Sequence, residues 1–173
     1  MHHIYTTPAF IVHSAPHGEA GKFLLLFTKD FGMIGAVAQG IRLSQSKLRY
    51  HVQDFSFCMV SIVRGKEVWR LTGAHEIDQE KKTGILHIKI LKLLRRLLQG
   101  EEKNEKLFEI MKELYKADTD PVDHEIIECI TILKILNTLG YVSGEDLLLI
   151  ENAKDNKSKI IKVINLALSE SQL

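Results

Sequence analysis

The chain is short of the residues that staple small proteins or hold metals in them. Its 173 residues include two cysteines, Cys58 and Cys129, far apart and without a CxxC partner. A disulfide framework or a thiolate zinc site needs more sulfur, so both are expected as reduced, buried thiols. Long apolar runs are missing too. None reaches the ~18 residues that cross a bilayer, and the N-terminus lacks the charged, then apolar, then small succession of a secretory signal. A soluble, cytoplasmic protein without a membrane partner is expected.

Signatures of catalysis are also absent. The sequence contains no Walker A, GxGxxG, GxSxG or HExxH pattern. Gly18-Glu19-Ala20-Gly21-Lys22 faintly resembles a phosphate loop but lacks its spacing and its following Ser/Thr. Eight histidines invite a metal, and His2, His3, His13 and His17 crowd the N-terminus, yet no spacing fixes a tetrahedron. Asp118, Asp120, Asp123 and Glu125 read better as a helix-cap cluster than as a site. Nothing assembles a nucleophile, a base and an orienting group, so no catalytic residue, metal or cofactor is expected.

What is present is the composition of a folded protein, 45% hydrophobic and 26% charged. The first part reads as short strands: Ile11-Val12, Phe23-Leu24-Leu25-Leu26-Phe27, residues 33–38, 57–63 and 67–72. Lys29-Asp30-Phe31-Gly32 suits a hairpin turn, with Gly32 supplying a positive φ, and Arg64-Gly65-Lys66 a second. Five strands in under ~80 residues suggest a small closed barrel, because closure removes exposed edges. The period then changes to helical. Helices are expected over residues 85–98, around Leu107 to Tyr115, and from Asp120-Pro121 to a stop near Gly140. A short helix over 145–150 and a last one over 158–168 follow. The fold class is α+β: a barrel domain, residues 1–78, followed by an α-helical domain, residues 79–173.

Charge is distributed unevenly behind a net value of +1. Residues 1–100 carry 14 Lys/Arg against 7 Asp/Glu, and residues 101–155 carry 6 against 14. No acid occurs from Phe31 to Gln53, a stretch that includes Arg42, Lys47 and Arg49 with two serines, a glutamine and Tyr50. Long cations and hydroxyls suit phosphate oxygens, and a ring suits a base. A second acid-free stretch runs from Lys81 to Gln99 and holds Lys81, Lys82, Lys89, Lys92, Arg95 and Arg96. Lys89, Lys92 and Arg96 share one helix face, where like charges repel unless a polyanion relieves them. Solubility alone is the plainer account of any single charge run.

The segment from Thr7 to about Asp78 resembles the N-terminal domain of the bacterial recombination mediator RecO. Phe27-Thr28-Lys29-Asp30-Phe31-Gly32-Met33-Ile34-Gly35 is similar to the family's "LFT…G…G" hairpin. Val37-Ala38-Gln39-Gly40-Ile41-Arg42 resembles its "VAKGAR" strand end. Ser46-Lys47-Leu48-Arg49 and Gln53-Asp54-Phe55-Ser56 resemble "S-(K/R)-L-R…QPF", with Asp54 where the family usually has proline. Leu139-Gly140-Tyr141 is similar to the family's "LLGY", after which many members carry a four-cysteine zinc module. Here Val142-Ser143-Gly144-Glu145-Asp146 follows, without cysteine, as in a shortened form.

The resemblance implies an OB-fold, binding of single- and double-stranded DNA, strand annealing, and recombinase loading with RecR and the C-terminal tail of single-stranded DNA-binding protein (SSB). It places Arg42, Lys47 and Arg49 on basic positions of the family's barrel. The other candidate contacts, Lys81, Lys82, Lys89, Lys92 and Arg96, follow from charge alone. Two alternatives compete with this reading: a protein-interaction module without a significant DNA role, and a metal-dependent enzyme built on the N-terminal histidines.

Overall fold

A computed structural model describes residues 3–77, 84–117 and 123–171. Alternation along the N-terminal strands builds a barrel. Five strands, β1 (Ile4–His17), β2 (Gly21–Thr28), β3 (Gly32–Ala38), β4 (Phe57–Arg64) and β5 (Trp69–Glu76), close in the order β1-β2-β3-β5-β4. All pairings are antiparallel except β3–β5, where Ala36 meets Trp69 and Val37 meets Arg70. This is the five-stranded OB topology that the family resemblance implied. Inward positions carry Ala9, Ile11, Leu24, Leu26, Ile34, Ala36, Val60 and Ile62, all at most 1% exposed. Small residues at the crowded positions let so narrow a barrel fill without strain.

β1 is far longer than its Ile11-Val12 signal suggested, because it pairs with β2 along one half and β4 along the other. A register shift between Ile11 and His13 bends it, and another between Ser61 and Ile62 bends the β4–β5 pair. Bulges of this kind supply the curvature that closure needs. The Lys29-Asp30-Phe31-Gly32 turn forms as expected, with Gly32 at φ 68°.

The helices are α1 (Ile85–Leu97), α2 (Glu105–Lys116), α3 (His124–Thr138) and α4 (Ala153–Glu170), with a 3₁₀ segment over Glu145–Asn152. The last helix starts five residues before its apolar stripe announced it. The expected Asp120-Pro121 start of α3 lies outside the described residues. At the other end of α3, Tyr141 N–H donates to Leu136 O (2.9 Å) and Gly140 N–H to Asn137 O (3.0 Å). This pair of bonds satisfies the last carbonyls of the helix, and it gives the Leu-Gly-Tyr tripeptide a structural purpose. Within the helical bundle α3 packs on α1, on α4 and on the 3₁₀ segment, burying Leu133, Ile135, Leu136, Ile160 and Ile164.

The chain divides into two compact units. One is the barrel together with Leu98–Glu105; the other takes Gly84–Leu97 and the helices from Lys106 onward. The boundary expected at residues 78–79 lies outside the described residues. None of the described helices is long and apolar enough to cross a membrane.

Candidate nucleic-acid interface

One end of the barrel is closed by the connection between β3 and β4, residues 39–56. Its apolar side chains point in: Ile41 and Val52 are each 1% exposed, and Leu48 packs against the core. Burying an aliphatic side chain contributes about 1.5–3 kcal/mol. An exposed ion pair contributes about 0–1. The apolar anchors therefore hold this connection, and its charged neighbours are not needed for that purpose.

Polar contacts fix the rest of its path. Arg42 N–H donates to Ala20 O (2.9 Å), tying the connection to the β1–β2 turn. Gln53 Nε2 donates to Arg49 O (2.7 Å), and the Cys58 thiol donates to His51 O (2.8 Å). The Gly18-to-Lys22 segment is thus a hairpin turn that braces the loop. Cys58 is a buried free thiol, as is Cys129.

The cations sit between these anchors and face outward. Arg42 and Lys47 are exposed, and Arg49 is half-buried. The Arg42 guanidinium reaches Gly18 O at 3.5 Å. The Arg49 guanidinium lies 4.6 Å from the centre of the Tyr50 ring and bonds its hydroxyl. Tyr50 is 62% exposed, so its ring is open to a stacking partner. Among the described residues, Arg42, Lys47 and Arg49 form no ion pair with a carboxylate. The arrangement is a braced loop that presents three cations and one aromatic ring.

The second group of candidates belongs to the helical unit. Lys89, Lys92, Arg95 and Arg96 are exposed on α1 while Leu86, Ile90, Leu91, Leu94 and Leu97 are buried. One expectation is corrected here. Lys89 is not left to repel its neighbours: its ammonium lies 2.8 Å from a Glu128 carboxylate oxygen on α3. That hydrogen bond and the charge of Glu128 raise its pKa. The sequence could not signal this partner, which is 39 positions away. Among the described residues, Arg95 and Arg96 have no carboxylate partner. Lys81 and Lys82 lie outside the described residues.

Sequence reasoning passed over the opposite end of the barrel. Arg64, Lys66 and Arg70 flank the β4–β5 loop, where residues 63–68 and Arg70 line a cavity of about 580 Å³. Arg64-Gly65-Lys66 was legible only as a turn. In a barrel of this topology that loop borders the surface used for oligonucleotides, so topology was the missing signal. Among the described residues, no group of three His, Cys, Asp or Glu comes together to hold a metal ion.

Residues 1–79 match the family model described as recombination protein O N terminal. The barrel is a RecO N-terminal domain. Beyond it, the likeness continues into the helices. The DNA repair protein RecO of Caldanaerobacter subterraneus subsp. tengcongensis is 30% identical over 159 residues, which are 88% of this chain and 64% of that protein. The RecO protein of Thermoanaerobacter sp. strain X514 is 27% identical over 157 residues, 87% of this chain and 63% of that protein. A Dehalococcoides mccartyi RecO is 39% identical over 76 residues, 44% of this chain and 30% of that protein. The chain thus spans less than two thirds of the length of these curated relatives.

Proposed function

We propose that this RecO relative is a non-catalytic, cytoplasmic DNA-binding protein of repair and recombination. Its barrel loop would neutralise backbone phosphates of single- and double-stranded DNA through Arg42, Lys47 and Arg49, with Tyr50 stacking on an exposed base. Arg95, Arg96 and Lys92 of α1 are separate candidate phosphate contacts, and Lys81 and Lys82 remain candidates from charge alone. The observation that carries this reading is that, among the described residues, the loop cations have no carboxylate partner while the loop itself is held by Ile41, Val52 and Leu48. Such a surface attracts a polyanion without sequence preference. Strand annealing needs only that two strands share it long enough to pair.

A salt titration of oligonucleotide binding tests the reading. With ~3–5 cations engaged, log K should fall with log[salt] at a slope of roughly −2 to −4 for single strands. Replacing Arg42, Lys47 and Arg49 by alanine should flatten that slope by about 2. An unchanged slope would locate the contacts elsewhere.

The protein partners in this proposal are RecR and the tail of SSB. The reading as an interaction module draws support from Leu148 and Leu166, which are 64% and 61% exposed in the helical unit. Titration with a labelled SSB tail peptide separates the two: binding of the peptide without measurable DNA affinity would favour the module.

A further inference from the structure

The far end of the barrel carries cations that its own chain holds back. The segment between α1 and α2 returns to the barrel and lies across the β2–β3 turn and the β4–β5 loop. Its Glu101 is held on both oxygens. Oε1 accepts a hydrogen bond from the Trp69 indole N–H at 2.9 Å, and Oε2 lies 3.3 Å from Arg64 Nη2. The Arg64 guanidinium lies 5.2 Å from the centre of the Trp69 ring. Glu105, where this strap enters α2, has its carboxylate 3.4 Å from the Lys29 ammonium. Between them the strap backbone comes so close that a Cβ on Gly32 would lie 2.2 Å from Glu102 O. Beside this arrangement is the β4–β5 cavity, where Lys66 and Arg70 are exposed and, among the described residues, have no carboxylate partner.

We infer that the β4–β5 loop is a second phosphate site, distinct from the β3–β4 loop, and that Glu101 gates it. The carboxylate occupies the guanidinium that a phosphate would take. Lys66 and Arg70 remain open to a phosphate, while Arg64, the cation of this loop that lies over the Trp69 ring, is withheld. A guanidinium binds phosphate and carboxylate by the same paired N–H geometry, so the two compete directly. The Arg64–Glu101 pair is exposed, with 67% and 41% of the two side chains open to water, and exposed pairs are readily exchanged. The indole bond makes Glu101 a fixed gate instead of a mobile one. The inference takes its ligand, the phosphate of a nucleic-acid strand, from the proposed function; the gate itself is defined by this geometry.

The substitution that separates gate from anchor is Glu101→Gln. The amide oxygen still accepts the Trp69 N–H, and the charge that holds Arg64 is gone. Trp69 is the sole tryptophan, so its emission reports on the gate directly. Tripolyphosphate titrated at low salt should bind Glu101→Gln roughly tenfold more tightly than wild type, the effect of one added charge-assisted hydrogen bond. Adding Arg64→Ala should return the affinity to the wild-type value. In the oligonucleotide assay, Glu101→Gln should steepen the single-strand salt slope by about 0.7, one added phosphate. Equal tripolyphosphate affinity in wild type and Glu101→Gln overturns the gate, as does a gain that survives removal of Arg64. If the wild-type chain failed to bind DNA, the proposed function would fall, and the tripolyphosphate comparison would still judge the gate.

Discussion

The two ends of the barrel carry the same kind of charge and treat it in opposite ways. At the β3–β4 end, Arg42, Lys47 and Arg49 project from a loop pinned by buried aliphatics, and no carboxylate among the described residues meets them. At the β4–β5 end, Arg64 and Lys29 are each met by a glutamate of the strap. An arginine in the sequence therefore does not say whether its charge is available. What decides it is whether a distant segment folds back with an acid, and among the described residues such a segment reaches one end of this barrel and not the other.

The ends also differ in how they are plugged, and this gives the largest expected effect. Trp69, 2% exposed, packs edge-on to Tyr5 and against Phe31, with ring centres 5.7 and 4.9 Å away. Trp69→Ala should cost about 3–5 kcal/mol. Ile41→Ala at the other end should cost about 2–4 kcal/mol and, alone of the two, loosen the cationic loop and weaken DNA binding. Denaturant unfolding followed by circular dichroism, with binding measured in parallel, checks both. Equal losses of DNA affinity in the two variants would erase the contrast between the ends.

Two glycines sharpen the comparison at smaller scale. Gly32 and Gly40 have nearly the same positive φ, 68° and 66°. A Cβ at Gly40 would meet only Leu43 Cδ1 at 3.5 Å, whereas one at Gly32 would strike the Glu102 backbone at 2.2 Å. Gly40→Ala should cost about 1–2 kcal/mol, the strain of a left-handed L-residue. Gly32→Ala should cost clearly more, because the strap must also lift away, and it should raise Trp69 accessibility to a quencher. Identical unfolding midpoints for the two variants would mean that the strap is not seated on Gly32 in solution.

The smallest effect extends the contrast between met and unmet cations to the helical unit. Lys89 is raised above its ordinary pKa of 10.5 by the hydrogen bond and charge of Glu128. Cys129 is raised above its ordinary 9.0, first by burial and then by Glu125 and Glu128. Both groups hold their proton more tightly when folded. Their contribution is fully present below the unfolded pKa and is lost as pH rises through the folded one. Stability should be insensitive to these groups at neutral pH and should decline above pH 9.0, the cysteine's ordinary value, as its thiol begins to titrate. In Cys129→Ala the decline should begin only above 10.5, the lysine's ordinary value. Unfolding midpoints across pH 8–11 measure this, and a decline of the same onset in both chains would assign it to other groups.

Much of the fold could be read along the chain, for reasons that differ between elements. The β2–β3 hairpin was legible because its apolar runs and its glycine lie within a few residues of each other. The end of α3 was legible for the same reason. The full extent of β1 was not, because its second partner, β4, is remote in sequence and its own N-terminal half mixes threonine, proline and tyrosine. The loop around Arg42, Lys47 and Arg49 was legible as a cationic stretch. Its role as the plug of the barrel was not, since Ile41, Leu48 and Val52 are spaced irregularly and follow no single period.

The sequence by itself determined which segments are strands and which are helices, where the turns fall, and that the barrel carries an acid-free stretch of cations. Those properties come from local periodicity and backbone chemistry, which neighbouring residues set. Only the tertiary structure decided which cations are met by carboxylates. Lys89 and Glu128, and likewise Arg64 and Glu101, come within ion-pair reach through packing between elements that no local pattern encodes. Electrostatic partnership acts over a few ångströms of space, and the chain's order does not specify which of its charges will share them.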